Sequence, residues 1–123
     1  MRIEVRSHIL DLKTDLESIP ERAPADLSRA VRETAVEGNR LAAVFARKSA
    51  GRHGVHYPDA ITVEQRGPYR YEYGPDSSMP QGGMEFEWGS RNQPAHLDLN
   101  RSADIIGPKL ADRVDRALQG LFW

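Results

Sequence analysis

The sequence predicts an α+β domain, in which a three- to four-stranded antiparallel sheet packs against a long helix in the N-terminal half, with a C-terminal helix alongside. Three observations carry that expectation. From Leu27 through Val31, Thr34, Gly38 and Leu41 to Phe45, small or apolar residues recur at steps of four and three, as on one face of a helix. Between Ala60 and Trp88 the spacing shortens to alternation among β-branched and aromatic residues, the period of a half-buried strand. Helical spacing returns at Leu99.

At the N-terminus, Arg2-Ile3-Glu4-Val5-Arg6 alternates as a short strand does. Ile9, Leu12, Leu16 and Ile19 then form one helical stripe, ended by Pro20, because proline drives the residue before it out of helical geometry. Pro24 suits a first helical position, where its missing N–H is not needed. A helix from about residue 24 to 50 follows, on the order of 40 Å long at 1.5 Å per residue. Gly38 sits in its apolar stripe at a cost of roughly 1 kcal/mol relative to Ala. It has two readings: close approach of another backbone, such as a neighbouring subunit's, or a small residue in an ordinary core. Spacing alone favours the second.

Residues 51–59, with Gly51, Gly54 and Pro58, read as a loop. Ala60-Ile61-Thr62-Val63-Glu64-Gln65 predicts a strand with Ile61 and Val63 inward. After a Gly67-Pro68 turn, Tyr69-Arg70-Tyr71-Glu72-Tyr73 predicts its hairpin partner, with the tyrosines on one face. Gly74 to Gly83 reads as a mobile polar loop. Met84-Glu85-Phe86-Glu87-Trp88 reads as a third strand with Met84, Phe86 and Trp88 on one face. Beyond a loop at 89–94, Leu99, Ala103 and Ile106 form a short helical stripe. Gly107-Pro108 interrupts it, and Leu110, Val114, Ala117 and Leu121 form another. The apolar tail Leu121-Phe122-Trp123 is expected to bury against the domain or a partner.

A chain of 123 residues fits a single domain spanning 1–123, with one core that buries roughly two-thirds of the unfolded surface. Net charge is -1 and the isoelectric point about 6.4, which argues against a dedicated nucleic-acid binder. No cysteine is present, so disulfides, thiolate nucleophiles and Cys-based zinc sites are excluded. The N-terminal residues are charged where a signal peptide would be apolar. No run approaches the roughly 18 apolar residues of a membrane span. A soluble chain is expected.

Candidate chemistry is sparse. His53, His56 and Asp59 could suggest a metal or acid–base site, but the glycines and proline around them predict a loop with exposed imidazoles. None of Ser49, Ser77, Ser78, Ser90 and Ser102 lies in a Gly-x-Ser-x-Gly turn, and Gly82-Gly83 lacks the context of a phosphate cradle. Glu85 and Glu87 read as a solvated strand face. No catalytic residue, cofactor or metal is expected, and the chain is read as a non-enzyme.

Charge is unevenly distributed. Residues 40–70 hold Arg40, Arg47, Lys48, Arg52, Arg66 and Arg70 against Asp59 and Glu64, whereas 72–87 holds Glu72, Asp76, Glu85 and Glu87 with no Lys or Arg. The basic stretch could meet DNA or an acidic partner, or be ordinary surface. The two stretches together could set register in a head-to-tail contact between copies.

The order of elements has a precedent. A long Ala-rich helix ends Ala42-Ala43-Val44-Phe45-Ala46-Arg47-Lys48. The glycine-containing loop Gly51-Arg52-His53-Gly54 then leads to the strand Ile61-Thr62-Val63. A hairpin, a flexible loop and a strand ending in Phe86-Glu87-Trp88-Gly89 follow, and a Gln93-Pro94-Ala95 turn leads into the last helix. Over roughly residues 3–118 this resembles the tail-component family of long-tailed bacteriophages, which act at the neck or in tail completion. Glu87-x-Gly89 and Gln93-Pro94-Ala95 are its most specific pieces. Two departures stand out: Ala50-Gly51 replaces a frequent Thr-Gly, and His96-Leu97-Asp98-Leu99 replaces an aromatic-Leu pair after the turn.

The resemblance implies a structural virion protein at the head–tail junction, assembled in the host cytoplasm. It implies a homo-oligomeric ring of six or twelve copies between the head-side connector or stopper and the tail terminator or tube. DNA would pass through only as transiting cargo, and no membrane partner is implied. Arg47, Lys48, Arg52 and His53 are candidates for a lumen- or partner-facing loop. Met79, Gln81, Met84, Leu121, Phe122 and Trp123 are candidates for intersubunit contact. Two alternatives are a tail terminator capping the tube and, in a different class, a small DNA-binding regulator using the basic stretch.

Overall fold

Three strands and two long helices dominate the computed structural model, which describes residues 2–6, 22–91 and 95–122, and the side chains of all these except 22–24 and 120–122. The order is β1 (Ile3–Arg6), α1 (Arg22–Ala50), a 3-10 turn at Gly51–Gly54, α2 (Tyr57–Ala60), β2 (Ile61–Gly67), β3 (Arg70–Pro75), α3 (Glu85–Trp88) and α4 (Asp98–Phe122). The architecture is α+β. The stripe at Ile9–Ile19, Gln93, Pro94, Trp123 and the side chains of Leu121 and Phe122 lie outside the described residues.

The sheet has the order β1-β3-β2 and is antiparallel throughout. Val5 pairs with Tyr71, and Ile3 and Val63 flank Tyr73. Those residues face the helices, and Val5, Ile61, Tyr71 and Tyr73 join the core. On the opposite face the same registers align Glu4, Glu72 and Glu64 in one cross-strand row. Three adjacent carboxylates would repel, and arginines offset this: Arg70 bonds Glu4 at 2.5 Å, Arg66 reaches Glu72 at 3.0 Å, and Arg2 lies 3.8 Å from Glu72.

α1 buries Leu27, Val31, Thr34 and Gly38 as the spacing predicts, and then shifts its core stripe onto alanines. Ala42 and Ala46 are fully buried, while Leu41 and Phe45 are only partly so. Gly38 admits the Tyr73 ring: a Cβ there would lie 2.6 Å from that ring and 2.8 Å from Ile106 Cδ1. The atoms nearest to that Cβ belong to side chains of the chain's own core, so the small residue makes room for internal packing.

Three sequence expectations are corrected, the first at residues 51–59, expected as a loop, which form the 3-10 turn and most of α2. The segment expected as a third strand, Met84–Trp88, is one helical turn: Trp88 N–H donates to Met84 O at 3.1 Å and Gly89 N–H to Glu85 O at 2.8 Å. Tertiary contacts override its strand-like alternation, because a helical turn buries the neighbours Phe86 and Glu87 together and leaves Glu85 and Trp88 outside. The sheet takes its third strand from β1 instead. Nor does Gly107-Pro108 break the C-terminal helix, which runs through it from Asp98 to Phe122. Leu99, Ser102, Ile106 and Leu110 keep one phase across the proline. Asp104, whose carbonyl loses its usual donor at Pro108, is exposed, so the cost falls where water can reach.

Candidate functional site

Five segments meet where α1 ends and α4 begins, and the basic loop leaves from the same corner. The geometry there starts from a missing cap. Leu97 directly precedes α4 and accepts its first bond, from Arg101 N–H at 3.0 Å. A leucine side chain has no oxygen for the free N–H groups of the first turn. Glu87 supplies it from α3. Its carboxylate accepts the Leu99 N–H at 2.8 and 3.0 Å and the Asn100 N–H at 3.2 Å, and its negative charge sits at the positive end of the α4 dipole. Glu87 is therefore a buried helix cap, which corrects the solvated-face reading.

The chain from Glu87 to Leu97 must double back. Gly89 takes φ 85 and ψ 170, a region essentially closed to residues with a Cβ. His96 N–H donates to Phe86 O at 2.8 Å and Leu97 N–H to Glu87 O at 3.1 Å. Leu97 itself adopts φ 57, a left-handed conformation costing a non-glycine residue roughly 1–2 kcal/mol.

A second buried carboxylate completes the corner. Asp98 accepts Ser49 Oγ–H from the end of α1 at 2.8 Å and an Arg101 N–H at 2.6 Å. His96 Nδ1 lies 3.1 Å from Ser49 Oγ and 3.9 Å from Asp98 Oδ2. A serine, a histidine and an aspartate thus meet, but not as a relay. In a nucleophilic triad the imidazole bridges serine and carboxylate through its two nitrogens. Here a single nitrogen faces both, and the serine proton goes directly to the carboxylate. The cluster latches α4 to α1.

Apolar packing closes the corner beneath the latch. Tyr57 stacks on Phe86 with centroids 4.4 Å apart and planes at 15°, and Phe86 meets His96 edge-on at 5.7 Å. Burial, then the charges of Glu87 and Asp98, push the Tyr57 hydroxyl far above its ordinary range. Deeper in, Tyr73 Oη and Ser102 Oγ share a 2.7 Å bond. Burial raises Tyr73 to about 12 against the opposing pull of that bond.

The predicted loop residues all stand at this corner. Arg47 and Lys48 end α1, and Arg52 and His53 lie in the 3-10 turn, all four exposed. Arg47 reaches Asp59 only at 4.0 Å, with both side chains mostly in solvent. Gln81 and Met79 belong to a second, adjoining loop. Gln81 donates through Nε2 to His53 O at 2.6 Å and accepts the His56 N–H at 2.7 Å, clamping the basic loop from outside. Asp76 anchors the same segment by accepting Ser78 N–H and Oγ–H at 2.9 and 2.6 Å. These bonds tie the loop at Asp76–Gln81 to itself and to the basic loop. Met84 is partly buried against the core.

The linear charge pattern does not survive folding as one patch. Arg66 and Arg70 pair with carboxylates on the sheet face, Glu87 is buried, and Asp76 serves its own turn. Among the described residues no cluster of His, Asp and Glu is suited to a metal ion, and no helix is long and apolar enough to cross a membrane. Asp98, directly after Leu97, carries a readable helix-start signal. Glu87 carries none, because the amides it caps lie 12 and 13 residues away. No family model, curated protein or solved structure matches the chain.

Proposed function

We propose that the chain is a structural subunit of the head–tail junction of a long-tailed phage, working through protein contacts and making or breaking no bond. One observation carries the reading. Glu87 and Gly89, which bear one of the two most specific pieces of the family resemblance, lie on a helical turn and not on the strand end expected of that motif, and they form the joint that sets the start of α4 and the exposed corner beside it. A motif whose role is shape suits an assembly protein. At that joint Glu87 is committed to backbone amides, and Ser49 to Asp98. Arg47, Lys48, Arg52, His53 and the half-exposed Trp88 remain on the outside, available to a partner. Exposed aromatic and arginine side chains are the usual anchors of protein interfaces.

The test is to delete the coding sequence from the phage or prophage that carries it and image the lysate. The junction reading expects filled heads and tails of normal length, unattached. Tails of irregular length would favour the terminator role instead. Complete infectious particles would sink both. Lys48 and Arg52 have no acidic partner among the described residues, which keeps the DNA-binding regulator as a second reading. Tight duplex binding by the purified chain that collapses with added salt would favour it.

A further inference from the structure

The outer face of the α1–α4 layer, turned away from the sheet, has a form that a second copy of the same chain would fit. The helices run antiparallel: Phe45 lies under Arg101 with 4.8 Å from guanidinium to ring centre, Glu37 bonds Lys109 and Arg113, and Ser49 bonds Asp98. These pairings put Ile105 level with Leu41. Helical spacing brings Leu41, Val44 and Phe45 together on α1 and carries Arg101 to Ile105 on α4. Val44 and Ile105 are 42% and 41% exposed, so an apolar stripe lies open between the helices.

The rim identifies the occupant. On the α1 side Arg40 is exposed and has no acidic partner among the described residues; on the α4 side Asp104 is exposed and has no basic one. The pairings above place Asp104 level with residues 42–43, within a turn of Arg40. A two-fold axis parallel to the helices would lay α1 of each copy over α4 of the other at the same level. The two apolar stripes would then meet, and each Arg40 would face the second copy's Asp104. We propose that this face pairs two copies of the free chain. The pairing goes beyond the junction reading, since a ring with unlike ends contains no such axis, so the pair must part before a ring forms.

The chain has no native cysteine, so single-cysteine variants report cleanly. V44C and I105C, mixed at about 1 mM total and treated with a short bis-maleimide, should give a covalent heterodimer. V44C mixed with Q65C, on the sheet hairpin, should not. R40D and D104R should each weaken self-association about tenfold, as two rim pairs turn repulsive, and the R40D/D104R double variant should restore it. A V44C/I105C yield no higher than the Q65C control at that concentration overturns the pairing. So does a double variant no better than the singles. Neither result bears on whether virions contain the chain, which the deletion experiment reads independently.

Discussion

Replacing Glu87 tests the physical centre of the corner. In Glu87→Ala the N–H groups of Leu99 and Asn100 lose their acceptor, and the end of the α4 dipole loses its counter-charge. The Leu99 amide is buried, so leaving it unpaired costs about 1–3 kcal/mol. Asn100 is partly exposed and recovers a water bond, which limits its share to about 1 kcal/mol or less. A lost helix-terminus charge adds about 0.5–1 kcal/mol. The sum is about 3 kcal/mol. Glu87→Gln keeps the shape and one acceptor oxygen, so about half of that is expected. Urea unfolding followed by circular dichroism measures both. For a chain this size each kcal/mol is worth about 4 °C in Tm, so Glu87→Ala should melt about 12 °C lower. If it stays within about 0.5 kcal/mol of the parent, a typical neutral-surface effect, the cap does not hold the corner.

Other consequences are open to the same measurement. Gly38→Ala should destabilise by about 1 kcal/mol, because crowding against Tyr73 and Ile106 outweighs the gain in helix propensity. Gly107→Ala adds a methyl that meets nothing beyond its chain neighbours, but Pro108 follows it and disfavours helical geometry in a residue with a Cβ, so its net effect should stay within about 0.5 kcal/mol; a loss as large as that of Gly38→Ala would contradict the packing account. Hydrogen bonds from Lys109, then Arg113, hold the Glu37 carboxyl below its ordinary 4.5. That contribution is present above 4.5 and fades as pH falls through the lower folded-state value, so the stability gap between parent and Glu37→Gln should close as pH falls below 4.5. At the alkaline end the sign reverses. Burial lifts Tyr73 to about 12 from 10.0, so the stability it provides is complete below 10 and is lost as pH climbs toward 12. Phenolate absorbance should show Tyr73 ionising only in that upper window, or together with unfolding; ionisation near 10 in the folded chain would refute its burial.

Where the fold was legible, the signal was a local period. The α1 stripe, the hairpin and the β1 alternation each repeat within a few residues, and repetition at 3.6 or 2.0 tells a segment which surface to bury before it meets anything else. The failures have equally specific causes. Met84–Trp88 is five residues long, too short for its alternation to outweigh what Phe86 and Glu87 gain by facing inward together against Tyr57 and α4. Pro108 was read for its local penalty, whereas the phase from Leu99 to Leu110 continues through it and the neighbouring packing absorbs that penalty.

The corner divides in the same way. Exposure of Arg47, Lys48, Arg52 and His53 followed from residue type and neighbouring glycines alone. The Glu87 cap, the Ser49–Asp98 latch and the room Gly38 leaves for Tyr73 join residues 12, 49 and 35 positions apart. By itself the sequence determined the two long helices and the three strands of the sheet and the faces most of them bury, because those depend on neighbours along the chain. Tertiary structure alone decided which carboxylate is solvated and which caps a helix, because that depends on what chain folding brings within 3 Å.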